Sequence, residues 1–104
     1  MTYRVVNQWP GGFQGDVKIT NTGTTPVNGW TLRWTYVNGQ VISQLWEGVL
    51  TQSGASVAVA NPTDHNITIA PGATVDFGFL ASWNNSTNAP PAGFTLNGAT
   101  CATA

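Results

Sequence analysis

Charged side chains are scarce in this sequence. Its 104 residues include three Lys or Arg and four Asp or Glu, which leaves a formal net charge of −1. A nucleic-acid-binding domain needs a basic patch on its surface, and so few cations cannot build one. The sequence therefore predicts no nucleic-acid partner.

Long apolar runs are missing, and the sequence has a single cysteine. The chain has no apolar run of about 18 residues, so we expect no membrane-spanning helix and no membrane partner. Its opening residues, MTYRVVNQW, do not have the pattern of a signal peptide. Cys101 stands alone. It is either a free or buried thiol or one half of a disulfide whose partner lies upstream.

What the chain does contain favours strands. Hydrophobic residues make up 41%, with five tryptophans, and Thr, Asn, Gly and Ser are abundant, as in strands and turns. Short alternating runs between turn signals predict one all-β domain over residues 1–104, a sandwich or a barrel. No segment shows a helical stripe. We expect strands near 3–8, 13–21, 29–37, 40–46, 55–60, 73–80 and 93–97.

Two runs fix the expected core. In GWTLRWTYV the apolar residues alternate with Thr and Arg, and TVDFGF alternates in the same way. One face of each strand should therefore be buried and the other wet. This places Trp30 and Trp34 in the core. Trp83 lies in the loop ASWNNST and is expected to pack against the end of the domain.

The Asn38–Gly39 pair is the strongest short hairpin signal in the chain. A two-residue turn at this pair sets residue 36 opposite 41, 34 opposite 43 and 32 opposite 45, and opposed residues share a face. The core face then receives Val41, Ser43 and Leu45. The outer face receives Ile42, Gln44 and Trp46. A three-residue loop would reverse the two faces.

An exposed tryptophan needs a reason, because a large apolar surface in water is a liability unless it binds something. Trp46 beside Gln44 makes a platform that can stack on the C–H face of a sugar ring and bond its hydroxyls. The stretch NQWPGGF repeats the pattern, with Asn7 ahead of Trp9 at a strand end. The alternative is a tryptophan covered by a neighbouring loop.

Catalytic and metal-binding chemistry is not evident. Four scattered acids (Asp16, Glu47, Asp64 and Asp76) do not mark the paired carboxylates of a glycoside hydrolase. The single histidine, His65, is too little for a metal site, which needs three or four ligands. We therefore expect no catalytic residues, no metal and no cofactor, and His65 on the surface.

Several stretches together resemble the family 2 carbohydrate-binding modules of bacteria: VVNQWPGGFQGDVKITNTG, NGWTLRW, QLWEGVLTQSG, APGATVDFGF and TLNGATC. The resemblance covers nearly the whole chain. It implies an antiparallel β-sandwich of the immunoglobulin-like or jelly-roll type, without catalysis. It also implies a secreted, monomeric module attached to the catalytic domain of a larger enzyme, with insoluble polysaccharide (cellulose first, then chitin or xylan) as its partner.

The resemblance also implies site residues. Trp9 and Trp46 match two of three platform aromatics, and Asn7 and Gln44 match face-lining amides. The third aromatic position falls in ANPTDHNITIAPG, where His65 would stack weakly or Asp64 would leave that corner non-binding. Asp16 and Leu80 stand where some members have asparagine. Family members usually join an N-terminal cysteine to the C-terminal one, which favours a lost or truncated partner for Cys101.

Three alternatives stay open at this point. Some family members turn one platform tryptophan and bind xylan chains. A β-sandwich can also act as a spacer or protein-interaction domain, since fold does not determine function. A small hydrolase is the third alternative, and it would need a carboxylate pair or an activated nucleophile.

Overall fold

The computed structural model describes residues 1–101, which contain strands and no helix. No segment among these residues could therefore cross a membrane as a helix. In chain order the strands are β1 (Thr2–Trp9), β2 (Gly12–Thr20), β3 (Val27–Asn28), β4 (Thr31–Thr35), β5 (Val41–Trp46), β6 (Val49–Ser53), β7 (Ser56–Ala60), β8 (Thr68–Ile69), β9 (Thr74–Ser82), β10 (Phe94–Leu96) and β11 (Ala99–Thr100).

The strands form two main antiparallel sheets. The first sheet has the order β1-β2-β9-β5 and the second has the order β11-β10-β4-β7-β6, while β3 and β8 form a separate short pair. Buried apolar side chains of both sheets make one core. The predicted all-β antiparallel sandwich is therefore confirmed, as a single compact domain.

Aromatic rings fill the centre of this core. Trp30 and Trp34, which are 1% and 3% exposed, both stack on Phe77 with ring centroids 6.0 and 6.2 Å apart. The Trp30 indole N–H also donates to the carbonyl oxygen of Asn66 at 2.8 Å. The core positions predicted for both tryptophans are thus correct, and Trp30 additionally anchors the loop that contains Asn66.

The predicted hairpin at Asn38–Gly39 is wrong, because β4 and β5 lie in different sheets. A type I′ turn needs positive φ at both central residues, and only Gly39 has it. The side chain of Gln40 closes the turn instead, since its Oε1 accepts from the Asn38 N–H at 2.9 Å. The chain therefore crosses from the second sheet to the first.

The faces of β5 consequently differ from the prediction. Ile42, expected on the outer face, is 6% exposed, and Val41, expected in the core, is 53% exposed. Ser43 is exposed as well. The register of β5 against β9 shifts between Ile42 and Gln44, so Ser43 is an extra, bulged residue. The bulge reverses the alternation, which leaves the outward positions of Gln44 and Trp46 correct.

One long strand was not predicted. Residues Val49–Ser53 form β6, which pairs with β7, although no strand was expected between residues 46 and 55. The polar Gln52 interrupts the apolar alternation from which the other strands were predicted, although its side chain is half-buried. Its Oε1 accepts from the Ile42 N–H and its Nε2 donates to the Gln40 carbonyl, at 2.9 and 3.0 Å. A polar side chain with both ends bonded is tolerated at such a position.

Candidate functional site

Two tryptophans stand on the outer face of the first sheet. Trp9 ends β1 and is 39% exposed, and Trp46 ends β5 and is 42% exposed. β1 and β5 are the two edge strands of this sheet. The predicted exposure of both side chains is therefore correct, and the rings mark opposite edges of one face.

A glycine lies beneath each ring. Trp46 pairs with Gly78 and Trp9 pairs with Gly12. A Cβ placed on Gly78 would lie 2.5–2.6 Å from three neighbouring ring atoms of Trp46, and a Cβ on Gly12 would lie 2.5–3.0 Å from the same three atoms of Trp9. In each case the edge of the indole therefore occupies the space that a side chain at the glycine would fill.

The two rings are far enough apart to contact different units of a long ligand. Three strand spacings separate β1 from β5, about 14 Å in all. Gly78 pairs with Asp16 on β2. Asp16 lies four residues along β2 from Gly12, which is about 13 Å along the strand. The Cα atoms of Trp9 and Trp46 therefore lie roughly 19 Å apart on a diagonal. The ring edges lie closer, roughly 14 Å apart, because they reach over Gly12 and Gly78 on the adjacent strands β2 and β9.

A row of side chains crosses the sheet between the rings. Asn7 pairs with Gln14, Gln14 pairs with Leu80, and Leu80 pairs with Gln44. Three amides and one leucine thus span all four strands on the outer face. The structure places Asn7 and Gln44 in one row on the outer face and adds Gln14 between them. Gln14 stands between the buried Phe13 and Gly15, and this alternation is the signal in the sequence that could have identified it.

His65 lies at the Trp46 end of this face. Its Nδ1 is 2.6 Å from Asp64 Oδ1 and its Nε2 is 2.6 Å from Glu47 Oε2. Both ring nitrogens can donate only when the imidazole is protonated. The hydrogen bond to Asp64, followed by that to Glu47, raises the pKa of His65, and the bond to His65 lowers the pKa of Asp64.

This cluster predicts a pH dependence. The raised pKa of His65 means that its contribution to stability is complete below the ordinary value of 6.5 and is lost as pH rises through the raised value. Asp64 contributes above its ordinary pKa of 3.8 and stops contributing as pH falls through the lowered value. The Tm difference between wild type and His65→Gln should therefore be largest from about pH 4 to 6.5. A difference that grows above pH 8 would contradict this assignment.

Lys18 pairs with two carboxylates on this face. Lys18 Nζ is 3.3 Å from Asp76 Oδ2 and 3.6 Å from Asp16 Oδ2. Exposed pairs of this kind add little to stability, but they reduce the net charge that the face presents. Asp16 and Leu80 therefore supply a paired carboxylate and an apolar side chain to this face.

The second sheet offers a different surface. A cavity of about 510 Å³ on its outer side is lined mostly by Ser, Thr and Ala, with Arg33 as its charged member. Its one tryptophan, Trp34, is buried, so no ring is available for stacking. Within residues 1–101, no group of three or more His, Cys, Asp or Glu side chains could hold a metal ion.

Comparison with known families matches this arrangement. The model of the cellulose binding domain family, CBM2, matches residues 1–101. The chain belongs to CBM2. The resemblance in the sequence is thereby confirmed, and it agrees with a non-catalytic module because this family consists of binding domains.

Relatives of this CBM2 domain are much longer proteins. It is 52% identical over 81 residues to Endoglucanase A of Thermobispora bispora, covering 78% of this chain and 18% of that protein. It is 49% identical over 100 residues to Endoglucanase CelA of Streptomyces lividans, covering 95% of this chain and 21% of that protein. The chain therefore spans about a fifth of the length of these relatives.

Solved structures give the same result. The chitin-binding domain of Chi18aC from Streptomyces coelicolor has a TM-score of 0.77 and 34% identity, covering 95% of this chain and 90% of that one. The cellulose-binding CBM2 domain from ScLPMO10C has a TM-score of 0.67 and 37% identity, covering 86% of each chain. Both likenesses agree with the sandwich described above.

Proposed function

We propose that the outer face of the first sheet binds insoluble β-1,4-linked polysaccharide, cellulose first and chitin second. The observation that carries the proposal is the pair of exposed indole rings, each lying over a glycine on the same side of one sheet. We infer that each exposed ring presents its face to the ligand, because the C–H face of a pyranose ring is the natural complement of an indole face. Trp9 and Trp46 are the proposed stacking residues.

The amide row supplies the polar half of the recognition. Asn7, Gln14 and Gln44 each carry an NH₂ donor and a carbonyl acceptor, and hydroxyl groups both donate and accept. A neutral polysaccharide also suits a face whose one lysine is already paired. His65 is proposed as a third, weaker contact at the Trp46 end, because both of its nitrogens already bond carboxylates.

The relatives suggest the kind of protein to which this module belongs. Endoglucanases and a chitin-binding domain are among the proteins that this chain resembles. We therefore propose that the module is secreted as a monomeric part of a larger enzyme and holds an appended glycoside hydrolase on its substrate. Xylan is a less favoured ligand, because flat rings suit a flat surface better than a twisted single chain.

Adsorption tests the proposal directly. The protein is mixed with microcrystalline cellulose, chitin and insoluble xylan, and the loss from solution is measured. We expect the largest depletion on cellulose, less on chitin and least on xylan. A folded protein that is depleted by none of the three would overturn the proposal and favour a spacer or interaction domain.

The glycine beneath Trp46 gives a second test. A methyl group in Gly78→Ala would lie 2.5 Å from the ring, so the ring must tilt away from the sheet. We expect cellulose affinity to fall roughly three- to tenfold, the equivalent of about 0.5–1.5 kcal/mol of stacking. Gly93→Ala is the matched control, because no atom lies within 4 Å of its added Cβ. Equal affinity for both variants would contradict the role of Gly78.

A further inference from the structure

A cleft opens where β1 and β9 end, beside Trp9. It measures about 280 Å³ and is lined by Gln8, Trp9, Pro10, Trp83 and Asn85; we name it the Trp83 cleft. Pockets that enclose a whole drug-sized ligand usually measure about 300–1,000 Å³. The Trp83 cleft therefore has room for a single ring rather than a long segment.

Hydrogen bonds fix the walls of the Trp83 cleft. The Trp83 indole N–H donates to the carbonyl oxygen of Trp9 at 2.9 Å, so the ring is held against the end of β1 while it packs on the core. Asn85 Oδ1 accepts from the Gly11 N–H at 2.5 Å. The loop after β9 is thus tied to the β1–β2 turn, and the cleft is formed before any ligand arrives.

A relay of amides sets the orientation of Gln8. The Asn38 N–H can only donate, so the oxygen of the buried Gln40 side chain must face it. Gln40 Nε2 then donates to Asn88 Oδ1 at 3.1 Å, and Asn88 Nδ2 donates to Gln8 Oε1 at 2.9 Å. Each amide fixes the next one. Gln8 therefore ends the relay with its oxygen occupied and its Nε2 group left over.

Within the described part of the chain, Asn85 also has an occupied oxygen and an unpaired NH₂ group. Its oxygen is occupied by the Gly11 N–H, which leaves its Nδ2 group as a donor. Among residues 1–101, neither this group nor Gln8 Nε2 has an acceptor. Two oriented NH₂ donors beside an indole ring suit a ligand that combines an apolar face with oxygen acceptors. Sugar hydroxyls and N-acetyl carbonyl groups provide such acceptors.

We propose that the Trp83 cleft is a further carbohydrate subsite, which takes one pyranose ring of a β-1,4-linked glycan next to the ring stacked on Trp9. This inference rests on the proposed function, because the Trp83 cleft adjoins the binding face at the Trp9 end of β1. Trp83 supplies the apolar wall, and Gln8 and Asn85 donate to ring substituents. The subsite adds a third tryptophan at the end of the first sheet opposite to His65.

Two isosteric variants test the subsite without removing its supports. Gln8→Glu and Asn85→Asp keep the oxygens that accept from Asn88 and Gly11, and they replace each NH₂ donor with an oxygen. Dissociation constants on microcrystalline cellulose and on chitin are measured from adsorption isotherms. We expect each variant to bind about three- to tenfold more weakly, which is the loss of one hydrogen bond, with an unchanged Tm.

Asn84→Asp is the matched control. It introduces the same charge in the same loop, and its oxygen continues to accept from the Ser86 and Thr87 N–H groups. We expect it to bind within twofold of wild type. A loss on cellulose alone or on chitin alone supports the subsite and identifies the sugar that it takes.

The failures of the two proposals are distinguishable. Wild-type adsorption together with unchanged binding by Gln8→Glu and Asn85→Asp overturns the subsite and leaves the platform standing. Equal weakening by Asn84→Asp also overturns the subsite, because charge alone would then explain the loss. Wild-type protein that adsorbs to neither polysaccharide overturns the proposed function, and the subsite with it.

Discussion

Replacing Trp46 with alanine is expected to weaken adsorption to cellulose by about 2 kcal/mol, or roughly 30-fold in the dissociation constant. The ring lies over Gly78 at the edge of the first sheet and is 42% exposed. Its loss removes one of the two large stacking surfaces of the platform. Because the side chain is not part of the core, the Tm should change little.

The control for this variant is Val49→Ala. Val49 is an exposed apolar residue of similar accessibility on β6, in the second sheet. We expect its isotherm on microcrystalline cellulose to match that of wild type. If Trp46→Ala and Val49→Ala adsorbed equally well, the outer face of the first sheet would not be the binding face.

The second large effect concerns Cys101 and stability. Met1 and Cys101 line the same cavity of about 410 Å³, and Met1 packs against the core. Burial raises the pKa of the Cys101 thiol, which makes it less reactive as a free group. A cysteine introduced as Met1→Cys should form a disulfide with Cys101 under oxidising conditions.

A disulfide between residues 1 and 101 closes nearly the whole chain. In the entropic model a loop of this size gives roughly 2–5 kcal/mol of stability, which corresponds to a rise in Tm of at least about 8 °C. Differential scanning calorimetry with and without a reductant measures the rise, and Met1→Cys combined with Cys101→Ser is the control. An oxidised protein with no titratable thiol and an unchanged Tm would contradict the expectation.

Alternation was enough to predict the sandwich and its core. Trp30, Trp34 and Phe77 sit in strands whose apolar residues recur at every second position, and this pattern reflects burial on one face alone. A strand of this kind can be predicted without knowing which strands it pairs with. The exposure of Trp9 and Trp46 was predicted for a related reason: each stands beside amides where a core position would have apolar neighbours.

The pairing of β4 and β5 was not predictable in the same way. A local Asn38–Gly39 signal favours a hairpin, but the side chain of Gln40 builds a different turn through contacts with Asn38 and the distant Asn88. The bulge at Ser43 depends on pairing with β9, which lies more than 30 residues away. The one local sign of the bulge is that the apolar residues Ile42 and Leu45 are three positions apart, where a regular strand would have two or four.

The Trp83 cleft depends on contacts that no spacing in the sequence reveals. Trp83 and Asn85 meet Trp9 and Gly11 across 74 residues of chain. Asn-rich loops usually read as solvent-exposed turns, and the sequence accordingly predicts only packing at the end of the domain. Whether an amide presents its oxygen or its NH₂ group is decided by its partners, which only the folded chain supplies.

The five tryptophans also provide the most direct test of the binding face. Each indole N–H gives its own signal in a ¹⁵N–¹H correlation spectrum, so one titration with cellohexaose reports on the core and the surface together. We predict that the signals of Trp9 and Trp46 shift, while those of Trp30 and Trp34 stay in place. Unmoved signals from Trp9 and Trp46, with shifts confined to amides of the second sheet, would contradict the central claim.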